Sequence, residues 1–213
     1  MLILSERNAK YNLLEIERKK LKENERSKTK PSLIFLKKDL KLKTIPIHIE
    51  CFDNSNIQGS LPTSSCVVFK NGLPSKKDYR IFKIKTVTKA DDFASMREVV
   101  FRRYKRVLDE KGDLPDLIVI DGGKGQLSSA KESLKRLGLS GKIAIIGIAK
   151  KLESIYFPND KIPLFIDKKS PSLKLIQTIR NEAHRFAINY HKKRRLKSTL
   201  SSALTDIDGI GEK

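Results

Sequence analysis

Two aspartates follow apolar, strand-like runs at well separated places in the chain. Asp53 comes after residues 47–52, and Asp121 comes after residues 117–120. If the two strands are neighbours, the carboxylates lie close together, where like charges repel unless a cation is bound between them. Carboxylate oxygens suit Mg²⁺ or Mn²⁺, which also keep positions for water and phosphate oxygens. The pair therefore predicts a metal site for phosphodiester hydrolysis; the alternatives are a turn-initiating Asp53 and an Asp121 that caps the following helix.

A histidine far downstream is the third candidate for this site. His184 lies in a helical pattern whose apolar positions form a core stripe, with Arg180, His184 and His191 along its edge; the stripe consists of Leu175, Ile176, Ile179, Ala183, Ala187 and Tyr190. A neutral imidazole can bind a metal or transfer a proton near a leaving group. The alternative is a boundary histidine with a structural role, and Glu182 is the competing candidate on the same helix.

The charge balance favours a polyanionic partner. Forty-five Lys and Arg residues stand against 25 Asp and Glu, which gives a formal net charge of +20. Such a field attracts nucleic acid, and cationic side chains would bind the phosphate backbone. The predicted phosphate-binding residues are Arg97, Arg102, Lys124, Arg180 and Arg185. Aromatic residues make up 7% of the chain and tryptophan is absent, which argues against extensive base stacking.

The elements that position these residues follow from the apolar periodicity. Strands at about 47–52, 65–69 and 79–84 predict an antiparallel meander, followed by a helix from about 92 to 110. A strand ending at Asp121, a helix, a strand at 143–149, a weaker β pair and a final helix from 170 to about 197 come next. The order β-β-β-α-β-α-β with a closing helix predicts an α/β fold, a ribonuclease H-like mixed sheet flanked by helices.

Two local motifs have simpler explanations. Asp91 and Asp92 precede the long helix, where capping is favoured over catalysis. The glycine-rich stretch 121–126 lacks the spacing of an NTPase or dinucleotide loop, but its small residues would let the backbone and Lys124 approach a phosphate.

The cysteines and the lengths of the apolar runs indicate the cellular compartment. Only Cys51 and Cys66 occur, both in apolar runs, which is typical of buried thiols in a reducing compartment. No apolar run is long enough to span a membrane, and the first residues do not form a signal peptide. A cytoplasmic location without a membrane partner is the prediction.

Several stretches of the chain resemble the C-terminal half of the UvrC family, the incision subunit of bacterial nucleotide excision repair. The most specific are Asp-Gly-Gly-Lys-Gly-Gln at 121–126 and Glu-Ala-His-Arg-Phe-Ala at 182–187; the others are 49–55, 66–69 with 79–80, and 91–97. The resemblance implies a ribonuclease H-like endonuclease domain at 45–199. It also implies that 200–213 begin a truncated helix-hairpin-helix region. Scattered apolar residues among many lysines and arginines predict a basic helix over residues 1 to about 30, within a basic helical linker segment at 1–44; the alternative is a dedicated binding arm.

The resemblance also implies a function and its partners. The family's Asp-Asp-His catalytic set falls on Asp53, Asp121 and His184, and a further family aspartate falls in the Asp91–Asp92 pair. The implied activity is a Mg²⁺- or Mn²⁺-dependent cut of damaged double-stranded DNA on the 5′ side of a lesion. The implied partners of the full-length protein are UvrB and, indirectly, UvrA. Two alternatives stay open: a non-catalytic DNA-binding module of the same fold, and a structure-selective nuclease or recombinase.

Overall fold

The computed structural model describes residues 30–55, 62–85, 91–149 and 153–205, with side chains described as far as Leu196. Its elements in chain order are α1 (Pro31–Asp39), β1 (His48–Ser55), β2 (Thr63–Lys70), β3 (Leu73–Pro74), β4 (Arg80–Lys83), α2 (Asp92–Asp109), β5 (Leu117–Asp121), α3 (Lys124–Arg136), β6 (Ala144–Ala149), β7 (Ser154–Tyr156) and α4 (Pro171–Thr205). A predicted basic helix over 1–30 falls almost entirely outside the described residues, as does the segment 206–213. No helix within the described ranges is both long and apolar enough to cross a bilayer.

The strands form one mixed sheet in the order β3-β2-β1-β5-β6-β7, with β4 also paired to β2. β1 and β2 are antiparallel, whereas β1, β5 and β6 are mutually parallel in that order. The Asn71-Gly72 turn joins β2 to β3 with positive φ at both residues, as a tight hairpin of this handedness requires. The predicted α/β class and ribonuclease H-like order are thus confirmed.

Two helical layers cover the two faces of the sheet. Alternate residues of β1 and β5, among them Cys51 and Val119, pack with α1 and α4 in one apolar cluster. The intervening residues, among them Phe52 and Ile120, pack with α2 and α3 in the other. Because side chains alternate along a strand, Asp53 and Asp121 project to the face that carries α4.

The first helix was not predicted from the sequence. Leu33 and Leu36 of α1 and the following Leu40 are at most 2% exposed and lie in the same cluster as α4. The described part of the predicted linker, residues 30–44, therefore packs as part of the folded unit. Its apolar run at 33–36 is short and is followed by lysines, and the contact with α4 makes it a core element.

The stripe on α4 also differs from the prediction at its C-terminal end. His191 is 3% exposed and its Nε2 lies 2.9 Å from Thr63 Oγ1, whereas Tyr190 is only half-buried. Burial, with the positive charges of Arg194 and Arg195, lowers the pKa of His191. The stripe therefore continues from Ala183 and Ala187 to His191, because residues four apart share a helix face.

A buried ion pair joins β1 to α2. Glu50 is fully buried, and Arg103 approaches its carboxylate with Nη2 at 2.5 Å and Nε at 3.2 Å. Tyr104 donates a further hydrogen bond at 2.9 Å, and His48 Nε2 lies 3.4 Å away. Burial raises the pKa of Glu50, but the contacts with His48 and Arg103 outweigh it and hold the pKa at about 2. This network fixes the strand that carries Asp53 against the second helical layer.

We expect Leu36→Ala to lower the free energy of unfolding by about 2–5 kcal/mol, because it removes a buried side chain and leaves a cavity. The matched control is Ile34→Ala on the same helix, since Ile34 is 50% exposed. Urea unfolding of both variants measures the difference. Equal, small losses would show that α1 does not belong to the cooperative unit.

We expect Glu50→Gln to remove a pH-dependent part of stability of about 3 kcal/mol, since the folded-state pKa is held at about 2 against an ordinary 4.5. Because the folded-state pKa is depressed, this part is fully present above pH 4.5 and is lost as the pH falls towards 2. Urea unfolding of the wild type and the variant at pH 7, 4 and 3 measures it. A difference that does not shrink with falling pH would contradict the prediction.

Candidate functional site

The pairing of β1 with β5 places the two predicted aspartates side by side. The parallel register runs from Ile49 opposite Leu117 to Phe52 opposite Ile120. Asp53 and Asp121 are the next residue on each strand, and Asp121 also pairs with Ile148 of β6. The two carboxylates thus leave the same face of the sheet from adjacent strands, near the carboxyl edge of its parallel part.

Both aspartates are buried. Asp53 is 3% exposed and Asp121 is 6% exposed. Cys51, two residues before Asp53 on the same face, senses both of them: burial raises the pKa of its thiol, and the charges of Asp121 and Asp53 raise it further, while Arg180 lowers it. The negative charge of the pair and the positive charge of Arg180 are therefore concentrated around one point above the sheet.

Helix α4 brings the predicted histidine to Asp53. The helix lies on the sheet through buried Ile179 and Ala183, and the Ala183 carbonyl accepts a hydrogen bond from Ser65 Oγ at 3.0 Å. Ser65 is the β2 residue paired with Asp53. At this register His184 Nδ1 lies 3.1 Å from Asp53 Oδ2, while the histidine side chain is 52% exposed. His184 therefore joins the buried aspartates to the solvent-facing side of the site.

The donor set fits a hard cation in type. Carboxylate oxygens from Asp53 and Asp121 are the ligands that Mg²⁺ and Mn²⁺ prefer, and His184 offers a nitrogen. Within the described ranges, however, no three His, Cys, Asp or Glu side chains are arranged as a group that could hold a metal ion. The arrangement thus contains a carboxylate pair and an Asp–His contact, without a complete three-residue ligand shell.

The two accessory aspartates have different positions. Asp91 is the N-cap of α2, and its Oδ1 accepts hydrogen bonds from the amides of Phe93 and Ala94 at 2.9 and 3.0 Å. Asp92 is the first residue of the helix, and its carbonyl accepts a hydrogen bond from Asn54 Nδ2 at 2.8 Å. Capping therefore accounts for Asp91. Asn54 directly follows Asp53, so its hydrogen bond joins the start of α2 to the end of β1.

Glu182, the competing candidate on α4, forms hydrogen bonds separate from the contact between His184 and Asp53. Its carboxylate accepts hydrogen bonds from Arg185 at 2.7 Å and from Tyr79 Oη at 3.2 Å. The hydrogen bond with Arg185 lowers the pKa of Glu182 despite its partial burial. Tyr79 in turn packs edge-on against Phe186 with ring centroids 5.1 Å apart.

Each predicted phosphate-binding cation makes a contact within the protein. Arg97 pairs with Glu132 at 2.9 Å, Arg102 with Glu98 at 2.6 Å, Arg180 with Glu153 at 3.5 Å and Arg185 with Glu182 at 2.7 Å, while Lys124 Nζ donates to the Lys161 carbonyl at 2.6 Å. Arg97 and Arg102 lie on α2, across the sheet from α4. Lys124 follows Asp121 by three residues, and the positive charge of Arg180 acts against the rise in the pKa of Cys51, two residues before Asp53.

The mixed sheet and its two helical layers define a domain of the ribonuclease H-like class. Residues 37–188 match the family described as the UvrC RNAse H endonuclease domain, and the chain belongs to this family.

Two named relatives agree with this assignment. The chain is 60% identical to the UvrABC system protein C of Christiangramia forsetii, over 99% of the chain and 35% of that protein, and 57% identical to that of Flavobacterium johnsoniae, over 100% and 36%. It thus spans about a third of the length of these relatives. Among solved structures, endonuclease V of Bacillus subtilis is 12% identical with a TM-score of 0.39, over 75% of this chain and 92% of that one.

Proposed function

We propose that this chain is a divalent-metal-dependent endodeoxyribonuclease domain that makes the 5′ incision beside a lesion in nucleotide excision repair. One observation carries the proposal: β1 and β5 present two buried carboxylates on one face, and α4 adds His184 in contact with one of them. Family membership supports the endonuclease activity. The strand polarity of the cut and the metal requirement rest on the donor chemistry and on the resemblance.

The aspartates would hold the ion. Two buried carboxylates on adjacent strands repel each other, and a bound divalent cation would relieve that repulsion. When bound, Mg²⁺ or Mn²⁺ would neutralise phosphate charge and lower the pKa of water near the scissile bond. Asp53 and Asp121 would hold the ion through their carboxylates, and both side chains are buried.

His184 would act at the exposed side of the site. Its Nδ1 contact with Asp53 sets the orientation of the ring, and Nε2 is then the nitrogen that would exchange a proton with the leaving oxygen. Alternatively, the half-exposed ring would offer a nitrogen ligand to the ion.

Cations near the aspartates would bind the DNA backbone. Lys124 opens α3 three residues after Asp121, and Arg180 lies one turn before His184. Lys124 donates to an exposed carbonyl, and Arg180 makes a longer contact of 3.5 Å with Glu153, in which both side chains are mostly buried. A phosphate of the substrate would compete with both contacts.

The substrate and partners of the whole protein are part of the proposal. The relatives carry the name UvrABC system protein C, and this chain covers about a third of them. We propose damaged double-stranded DNA as the substrate, presented with UvrB and, indirectly, UvrA. The net charge of +20 suits the polyanionic substrate.

A second candidate is a DNA-binding module of the same fold that does not cut. The ribonuclease H-like fold and the net charge of +20 suit it equally. The two candidates share salt-sensitive DNA binding, with log affinity falling by roughly 0.9 per neutralised phosphate on the log salt scale. They differ in what the aspartates do.

We expect Asp53→Asn and Asp121→Asn each to lower cleavage at least about a hundredfold while changing DNA affinity less than about threefold. The assay is Mn²⁺-dependent cutting of a nicked, lesion-bearing duplex supplied with UvrB. Asp109→Asn, an exposed aspartate at the end of α2, is the matched control and should cut like the wild type. Undiminished cutting by both site variants would refute the nuclease site, and no cutting by the wild type would favour the binding module.

Metal binding has a readout that does not depend on cleavage. We expect Mn²⁺ at one hundred times its Kd to raise the Tm of the wild type by about 5–10 °C, because only the folded state holds the two carboxylates together. The doubly substituted Asp53→Asn, Asp121→Asn variant should show no such rise. An equal rise in both proteins would place the ion elsewhere.

A further inference from the structure

Phe93 is an exposed aromatic side chain at the start of α2. Its side chain belongs to the large exposed hydrophobics of the described residues, at 53% exposure. The other exposed phenylalanines there, Phe35 and Phe165, line a shared surface depression beside Pro171, at the start of α4. Phe93 lies elsewhere, directly after Asp92 at the start of α2.

Two side-chain contacts fix where α2 starts. The Asp91 carboxylate caps the helix by accepting a hydrogen bond from the Phe93 amide itself. The Asn54 side chain donates to the Asp92 carbonyl, and Asn54 follows Asp53 in β1. The backbone of Phe93 is therefore tied to the strand that carries the first aspartate of the site.

The ring is seated on the loop that carries the second aspartate. A Cβ atom added to Gly125 would lie 2.4 Å from Cε1 and 2.7 Å from Cζ of Phe93. The ring thus rests directly on the backbone of Gly125, four residues after Asp121, and a larger residue there would displace the ring. One part of the ring is held by the first turn of α3 while about half of the side chain remains exposed.

The chemistry around the ring suits a nucleotide. An exposed phenylalanine gains little from hydrophobic burial, whereas a nucleobase can stack on an aromatic face whatever its sequence. Lys124 adjoins Gly125 in the chain, and Arg97 lies one helical turn after Phe93 with a side chain 41% exposed. A nucleotide whose base stacks on the ring and whose phosphates contact these cations would account for the exposed ring and for the cations beside it.

We propose that Phe93 stacks on a nucleobase of the strand to be cut, next to the scissile phosphate. This inference rests on the proposed nuclease function and adds the contact that sets the register of the DNA over the aspartates. Phe93 supplies the flat surface, Gly125 seats it, and Asp91 with Asn54 keeps both at the edge of the site.

The test measures binding apart from cleavage. All variants are made in the Asp121→Asn background, and a nicked duplex carrying 2-aminopurine beside the incision position is titrated with each protein. We expect Phe93→Ala and Phe93→Leu to weaken binding roughly 5- to 150-fold and to reduce the change in 2-aminopurine fluorescence, because both lack an aromatic face. Phe93→Trp should stay within about threefold of the parent, since it keeps one.

Three further measurements separate stacking from other effects. Phe165→Ala, which removes a 61% exposed ring elsewhere, should bind like the parent. The slope of log affinity against log salt should be unchanged in Phe93→Ala, because no phosphate contact is lost. Gly125→Ala should weaken binding like Phe93→Ala by displacing the ring, although glycine to alanine in a helix otherwise stabilises by about 1 kcal/mol.

The outcomes are distinct. If Phe93→Ala and Phe165→Ala do not differ in affinity, including the case in which neither binds, the stacking contact is refuted. Thermal melting should be nearly unchanged in Phe93→Ala and Phe93→Leu, and a loss of binding that follows a lower Tm in both would likewise count against it. Failure of the nuclease function itself appears elsewhere, as undiminished cutting by the Asp53→Asn and Asp121→Asn variants.

Discussion

The parallel pairing of β1 with β5 is the constraint on which the site depends. It sets Asp53 and Asp121 next to each other in buried positions on one face of the sheet. Two like charges taken out of water are unfavourable unless opposite charge or hydrogen-bond donors approach them. His184, with its contact to Asp53, and Arg180, whose charge reaches Cys51, are the groups that α4 brings to this position. Apolar residues pack α4 onto the sheet. The polar groups on the edge of the helix then stabilise the buried carboxylates of the sheet.

Buried and exposed ion pairs have different roles in the molecule. Glu50 and Arg103 are enclosed between β1 and α2, and the pKa of Glu50 shows how strongly the carboxylate is held in its charged form. Breaking one partner of such a pair leaves a buried charge, which costs about 3–5 kcal/mol. The pairs made by Arg97 and Arg185 are about half exposed and contribute far less. The first kind keeps the strand of Asp53 in place, while the second leaves cations that a phosphate can recruit.

Most of the elements could be predicted because their patterns are strong. The three-strand meander, the helix after Asp91 and the buried strand before Asp121 have clear periodicity and turn signals, and each formed within a few residues of its predicted bounds. Helix α1 was missed because its burial depends on α4, more than a hundred residues later. His191 was placed at the edge of α4 because a polar residue in a core stripe is recognisable only when its partner, here Thr63, is known.

The amino-acid sequence by itself determined the order of elements, the positive charge, the aspartates that end two apolar strands and the family to which the chain belongs, because local periodicity and residue chemistry suffice for these. Only the tertiary structure decided that Asp53 meets Asp121 and His184, that Glu182 is held by Tyr79 and Arg185, and that Phe93 rests on Gly125. Apart from the local Glu182–Arg185 pair, these contacts join positions dozens of residues apart. Their geometry is set by strand register and by the rotation of each helix on the sheet, and no local pattern contains either quantity.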